Sequence, residues 1–192
     1  MVSVEAGSKQ RTSAFGAGRQ ALIEATITVV ARAGLRNLTY RAVAKEAGVA
    51  HGLVAHHFGS RQALIEAALQ HALDESADVL SAVTEGSSLD TFVDHLAELA
   101  SSEPDMQAFQ YELILESRRN DELAPLVRML YQRYRDATAD ALVRVGIARD
   151  DALTLLVFAA LDGLVFQQIA IGDVGATEHA LGKLRQILAG AR

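Results

Sequence analysis

Side chains able to do chemistry are densest between Thr39 and Arg61. Arg41, Lys45 and Arg61 bring positive charge, Thr39 and Tyr40 bring hydroxyls, and His51, His56 and His57 are three of the six histidines in the chain. Cations and hydroxyls at this density suit phosphate oxygens, and imidazole rings suit either base edges or a metal. The metal is poorly served: these histidines do not share one helical face in the manner of a His-Glu-x-x-His motif, and Glu46 is the only nearby carboxylate. The chain has no cysteine, which excludes disulfides, thiolate metal sites and a cysteine nucleophile. No nucleophile–base pairing or phosphate loop is visible. The nearest approach to a catalytic group is Asp94-His95 with Glu112 and Glu116, so the sequence points away from an enzyme and calls for no cofactor.

The elements that must position these side chains are two short helices. Val43, Ala47, Val49 and Val54 make one apolar seam, Ala44 lets two helices cross closely, and Gly48 sits where a tight turn needs φ > 0. Helix, glycine-containing turn and second helix form the helix-turn-helix pattern, in which the second helix enters the major groove of DNA. That helix presents Ala50, His51, Gly52, Leu53, Ala55 and His56, with Val54 turned to the core. It has no Arg, Asn or Gln for bidentate base contacts. Gly52 allows a close backbone approach, Leu53 or Ala55 fits a thymine methyl, and His51 and His56 can donate to guanine or hold bridging water. Part of the specificity is therefore expected from DNA shape and half-site spacing. Thr39 and Tyr40 open the preceding helix, where free N–H groups and the helix dipole favour an anion, and Arg41 and Lys45 on the same helix add positive charge.

The stretch from Arg19 to Leu64 resembles the DNA-binding domain of TetR-family transcriptional regulators. The resemblance rests on Arg19, Leu22, Ala25, Gly34, Leu38-Thr39, Arg41, Val43-Ala44, Ala47-Gly48-Val49, Gly52, His57-Phe58, Ser60-Arg61 and Leu64. It implies backbone-contacting positions for His57 and Arg61. It also implies a symmetric dimer on a palindromic operator, joined through its two C-terminal helices, with a small molecule in the body displacing the fourth helix. Three positions depart from the family: Ala55 replaces a usual Tyr, Ala50 a usual Ser and Arg61 a usual Lys. Two polar groups that would reach the DNA backbone are thereby missing. This motivates an alternative, a helical ligand-binding or interaction module with weak DNA affinity.

Charge divides the chain in the same way. Residues 1–65 hold eight Lys or Arg against three Asp or Glu, a balance of +5, while residues 66–192 carry −11 within a total of −6. A basic head on an acidic body draws phosphate to one end only. The sequence predicts an all-α protein in three parts. Residues 1–18 are a flexible basic arm containing Lys9 and Arg11, and 19–65 are a three-helix DNA-binding domain. Residues 66–192 form a helical ligand-binding and dimerisation domain, reached through a long fourth helix from Arg61 to about Leu80. Further helices are expected over 89–101, after Pro104, over 123–145, 152–171 and 178–189. With no signal-like apolar run at the N-terminus, a cytoplasmic protein is expected.

The helix over 152–171 is apolar nearly all round, yet Asp162 at its centre and acidic flanks argue against a membrane span. One side should meet a second copy. Candidate residues for a small-molecule effector site are Phe92, Met106, Phe109, Leu113, Leu130, Tyr134, Phe158, Asp162 and Phe166, which mix aromatic bulk with a few polar groups. A buried carboxylate such as Asp162 needs a partner: a ligand, an Arg or Tyr from another helix, or solvent at a dimer seam. Gly163 costs about 1 kcal/mol in a helix interior, consistent with close packing of another backbone or a ligand.

Overall fold

The computed structural model describes residues 3–81, 88, 90–91 and 104–190, with side chains described from residue 16 onward except over 76–81. Eight α-helices lie among them: α1 (Ser3–Ala33), α2 (Tyr40–Glu46), α3 (His51–Phe58), α4 (Arg61–Ser81), α5 (Pro104–Glu116), α6 (Ala124–Arg144), α7 (Asp151–Ile171) and α8 (Val174–Ala189). No strand occurs among the described residues, so the all-α expectation holds. The helix expected over 89–101, with Phe92 and Asp94-His95, falls outside the described residues apart from Asp90 and Thr91. The chain forms two compact units, Met1–His71 and Ala72–Arg192.

In the first unit, short-range chemistry sets each helix boundary. Gly34 (φ 80°) ends α1, with its N–H donating to the Val30 carbonyl at 2.8 Å. Thr39 caps α2 by accepting from the Ala42 N–H at 3.1 Å. Gly48 (φ 68°) makes the turn, and the Val49 N–H reaches back to the Ala44 carbonyl at 2.9 Å. This returning bond is the helix-ending geometry that a left-handed glycine permits. Ser60 caps α4 through the Ala63 N–H at 3.0 Å. Leu22, Ile23, Ile27, Val30, Val43, Ala44, Val54, Phe58, Leu64 and Ile65 are buried, while Ala47 and Val49 are half-buried. Truncating one of the fully buried leucines would cost about 2–5 kcal/mol.

Two boundaries differ from the sequence reading. Helix α1 runs back to Ser3, through residues read as a flexible arm. Ala6, Ala14 and Ala17 favour helix, and a glycine costing about 1 kcal/mol does not stop propagation from an already packed segment. Helix α8 starts at Val174 rather than near 178, because Asp173 accepts from the Ala176 N–H at 2.9 Å and caps it early.

In the second unit α7 packs on α5, α6 and α8. Ala141, Leu142, Val145, Ile147, Val157, Leu161, Leu181 and Leu188 form one buried cluster, edged by Tyr134, Ala137, Leu153, Leu164 and Leu184.

Candidate functional site

The face built by α2 and α3 comes first. Thr39, Arg41 and Lys45 are exposed and Tyr40 is half-buried. On α3, His51, Gly52, Ala55 and His56 are exposed, a spacing that puts them on one side of the helix, while Val54 is fully buried; Ala50, just before the helix, is also exposed. Most of the expected contact residues are thus exposed on these two adjoining helices. Leu53 is half-buried, and a Cβ added to Gly18 of α1 would lie 3.9 Å from its side chain and 3.7 Å from His57 Nε2. Leu53 and His57 therefore lean towards α1. Desolvation holds the His57 imidazole below the usual histidine range, and the charges of His56 and Arg19 push the same way. His57 is consequently a neutral group near pH 7. The Arg19 guanidinium lies 5.1 Å from the centre of the Phe58 ring and fastens α1 to the end of α3.

Arg61 has work inside the head. Its Nη2 donates to the Leu35 carbonyl at 2.7 Å and its Nε to the Leu38 carbonyl at 3.3 Å. The guanidinium bridges α4 to the loop that enters α2, and so sets the position of the Thr39 cap. A lysine, the family's usual residue, has one nitrogen and no planar fork for two carbonyls. Among the described residues no group of three His, Cys, Asp or Glu is gathered for a metal.

The second site is a cavity of about 60 Å³ inside the body unit. Gln107, Gln110, Tyr111 and Ile114 of α5 line it, with Leu130, Tyr131, Tyr134 and Thr138 of α6. Helix α7 adds Phe158, Leu161, Asp162, Leu164 and Val165, and α8 adds Thr177 and Leu181. Of the residues singled out in the sequence, Leu130, Tyr134, Phe158 and Asp162 are on this wall. Met106, Phe109 and Leu113 are buried without lining it. Phe166 is 45% exposed and stands edge-on against Tyr111, centroids 5.0 Å apart. Phe92 is outside the described residues.

Asp162 finds a tyrosine partner, one of the options its position left open. The Tyr111 hydroxyl lies 3.0 Å from Asp162 Oδ1 and 2.9 Å from its backbone carbonyl, within donating distance of both. Burial raises the Asp162 carboxyl above the usual carboxylate range, and hydrogen bonds from Tyr111 and Tyr131 pull it back. Burial, followed by the Asp162 charge, raises the Tyr111 phenol so far that it stays protonated. The Tyr134 hydroxyl donates to Gln110 Oε1 at 2.8 Å. Tyr111, Tyr131 and Gln110 were not foreseen. The available signal was helical spacing: Gln107, Gln110 and Tyr111 share one face, Tyr131 and Tyr134 another, and Phe158 and Asp162 a third. Glu112 and Glu116 are half-buried off the cavity wall, and Glu116 pairs with Arg119 at 2.7 Å.

The third feature is the outer face of α7. Leu155, Leu156 and Ile171 are 51%, 65% and 73% exposed, and Ala152, Ala159, Ala160 and Ala170 continue the stripe. A Cβ built on Gly163 meets nothing within 4 Å. Val174 and Ile187 of α8 are also exposed. By length and composition α7 could cross a membrane.

Residues 87–190, more than half of the chain, match the family described as "Tetracyclin repressor-like, C-terminal domain", and residues 22–68 match "Bacterial regulatory proteins, tetR family". The chain belongs to the TetR family. It is therefore a TetR-family transcriptional regulator with a helix-turn-helix DNA-binding domain, from a family of regulators and not of enzymes. The HTH-type transcriptional regulator BetI 2 of Chromohalobacter salexigens is 36% identical over 64 residues, 33% of this chain and 31% of that protein. The match thus spans about a third of the length of such curated relatives. A solved transcriptional regulator from Rhodococcus sp. Rha1 superposes with a TM-score of 0.74 at 25% identity, over 88% of this chain and 95% of that one. A regulator from Saccharomonospora viridis, solved in complex with choline, shares the fold at 22% identity and a TM-score of 0.70, over 91% and 95% of the two chains.

Proposed function

We propose that this TetR-family protein is a cytoplasmic, ligand-responsive repressor. It holds a palindromic operator as a homodimer and leaves it when a small molecule fills the body cavity. The observation that carries the reading is the presence in one chain of an exposed, basic α2–α3 face and a cavity lined from four helices of the other unit. Arg41 and Lys45 meet phosphate, and His51, Gly52, Ala55 and His56 face base edges. The apolar stripe of α7, with Ala159, Ala160 and Gly163 at its middle, fits a second copy of itself, joined by α8 in a four-helix seam. Such a seam covers the face that would otherwise read as membrane-spanning, and it places no lipid against Asp162. Two recognition helices related by a two-fold axis require half-sites about 34–36 Å apart or a multiple of that.

Release needs a path from cavity to head. Helix α4 carries the chain from one unit into the next, and its Asp74 pairs with Arg133 of α6 at 3.9 Å, close in sequence to the cavity residues Tyr131 and Tyr134. A coupling of about 1–3 kcal/mol between the two sites is enough for such a switch.

The test is selection of pooled genomic fragments from the source organism by the purified protein at moderate salt, then sequencing. An enriched palindrome with half-sites one or two turns apart supports the dimeric regulator. Weak binding to all fragments alike, with a shallow salt dependence, favours the interaction module that Ala50 and Ala55 motivate.

A further inference from the structure

We propose that the body cavity takes a small alkylated ammonium cation, with Asp162 as counter-ion and the rings of Tyr131, Tyr134 and Phe158 as walls. The proposal rests on the reading of this unit as an effector domain and names the chemistry of the effector.

Charge is the first argument. Among the described residues Asp162 is the sole carboxylate on the cavity wall, and no Lys, Arg or His lines it. An anionic ligand would meet a carboxylate and no compensating cation. A neutral apolar ligand would leave a half-buried carboxylate to be supported by tyrosine hydroxyls alone. A cation supplies what an ionised carboxylate away from water lacks.

Ring geometry is the second. The Phe158 ring lies 5.6 Å from Tyr131 at 88° and 6.3 Å from Tyr134 at 18°, so three rings in two orientations form one corner. Aromatic faces carry the negative part of the ring quadrupole and attract a cation without asking it for an N–H. Walls built of rings, with one carboxylate beside them, suit methylated nitrogen better than a primary ammonium, which needs several oxygen acceptors at once.

Gln110 is the third. It is 3% exposed, its Oε1 is taken by the Tyr134 hydroxyl, and its Nε2 has no hydrogen-bond partner. A buried amide donor without a partner costs free energy unless a ligand or water accepts from it. It calls for an acceptor, such as a hydroxyl or ether oxygen, on the same molecule that carries the cation. A volume of about 60 Å³ holds about four waters and suits a trimethylammonium-sized head.

The probes are choline and 3,3-dimethylbutan-1-ol, which has the same shape without the charge, titrated by calorimetry into the full chain. Choline should bind at least about tenfold more tightly than the neutral alcohol. Asp162→Asn retains an oxygen for the Tyr111 hydroxyl and should bring the two ligands to within about threefold. Phe158→Leu, checked for helix content, should weaken choline more than the alcohol. Choline binding no tighter than the alcohol, or a preference that survives Asp162→Asn, overturns the proposal. So does the absence of choline binding to folded protein at millimolar concentration. Fluorescence anisotropy on the selected operator separates this from the effector reading. Preferred binding of choline with operator affinity unmoved keeps the cation site and removes the switch. Operator release by an uncharged compound in the same cavity keeps the switch and removes the cation.

Discussion

Leu156→Glu tests the dimer seam without touching the core. Leu156 is 65% exposed on α7, so the folded protomer loses little when it changes. Full burial of a leucine is worth about 1.5–3 kcal/mol, and a two-fold seam buries the residue twice. Scaling by the exposed fraction gives about 2–4 kcal/mol lost per dimer, before any cost of burying two carboxylates side by side. That corresponds to a dimer dissociation constant weakened about 30- to 1,000-fold. Sedimentation equilibrium reads the constant, and circular dichroism checks that helix content is unchanged. A variant that remains as dimeric as the wild type would show that this stripe is not the seam. If the variant loses helix content, Leu156 belongs to the fold and the calculation does not apply.

Other expectations concern the head and the carboxylate. Arg61→Ala frees the Leu35 and Leu38 carbonyls and should lower urea stability by about 1 kcal/mol, water replacing part of each bond; unchanged stability would mean that the clamp holds nothing. Ala55→Tyr, on an exposed position, should tighten operator binding about 30-fold by adding one phosphate hydrogen bond of about 1 kcal/mol from each of two protomers; unchanged affinity would place residue 55 away from phosphate. Asp162 has a raised carboxyl, so the folded chain binds its proton more tightly than the unfolded chain does. Stability contributed by that proton is present at low pH and lost as pH rises from the unfolded carboxylate range through the raised one. Asp162→Asn should therefore melt higher than the ligand-free wild type at pH 7, and the difference should vanish near about pH 4. A variant that melts lower at pH 7 would show that the carboxylate is a net stabiliser.

The head was legible because local rules decide it. Glycine at 34 and 48, threonine at 39 and serine at 60 each satisfy or break a helix end by short-range chemistry, and the buried faces of α1 and α3 follow the helical period. The body was legible in outline only. Met106, Phe109 and Leu113 follow the same helical period as a cavity wall would, yet they face the core, while Gln110 and Tyr111 beside them face the cavity. Periodicity fixes which residues share a face and is silent on what that face meets. Helix α7 shows the same limit. Apolar all round, it gave no sign of which side packs within the chain. Only the fold shows Val157 and Leu161 turned inward and Leu155 and Leu156 left open.

The central claim is that the exposed face of α2 and α3 meets the phosphates of DNA. Its most direct test is the salt dependence of binding to a selected palindrome, measured for the wild type and for the Arg41→Ala/Lys45→Ala variant. Removing two phosphate-binding cations from each of two protomers should reduce the slope of log K against log salt by about 3.6. An unchanged slope, with both proteins folded and dimeric, would contradict the account and move the DNA-binding surface elsewhere on the head.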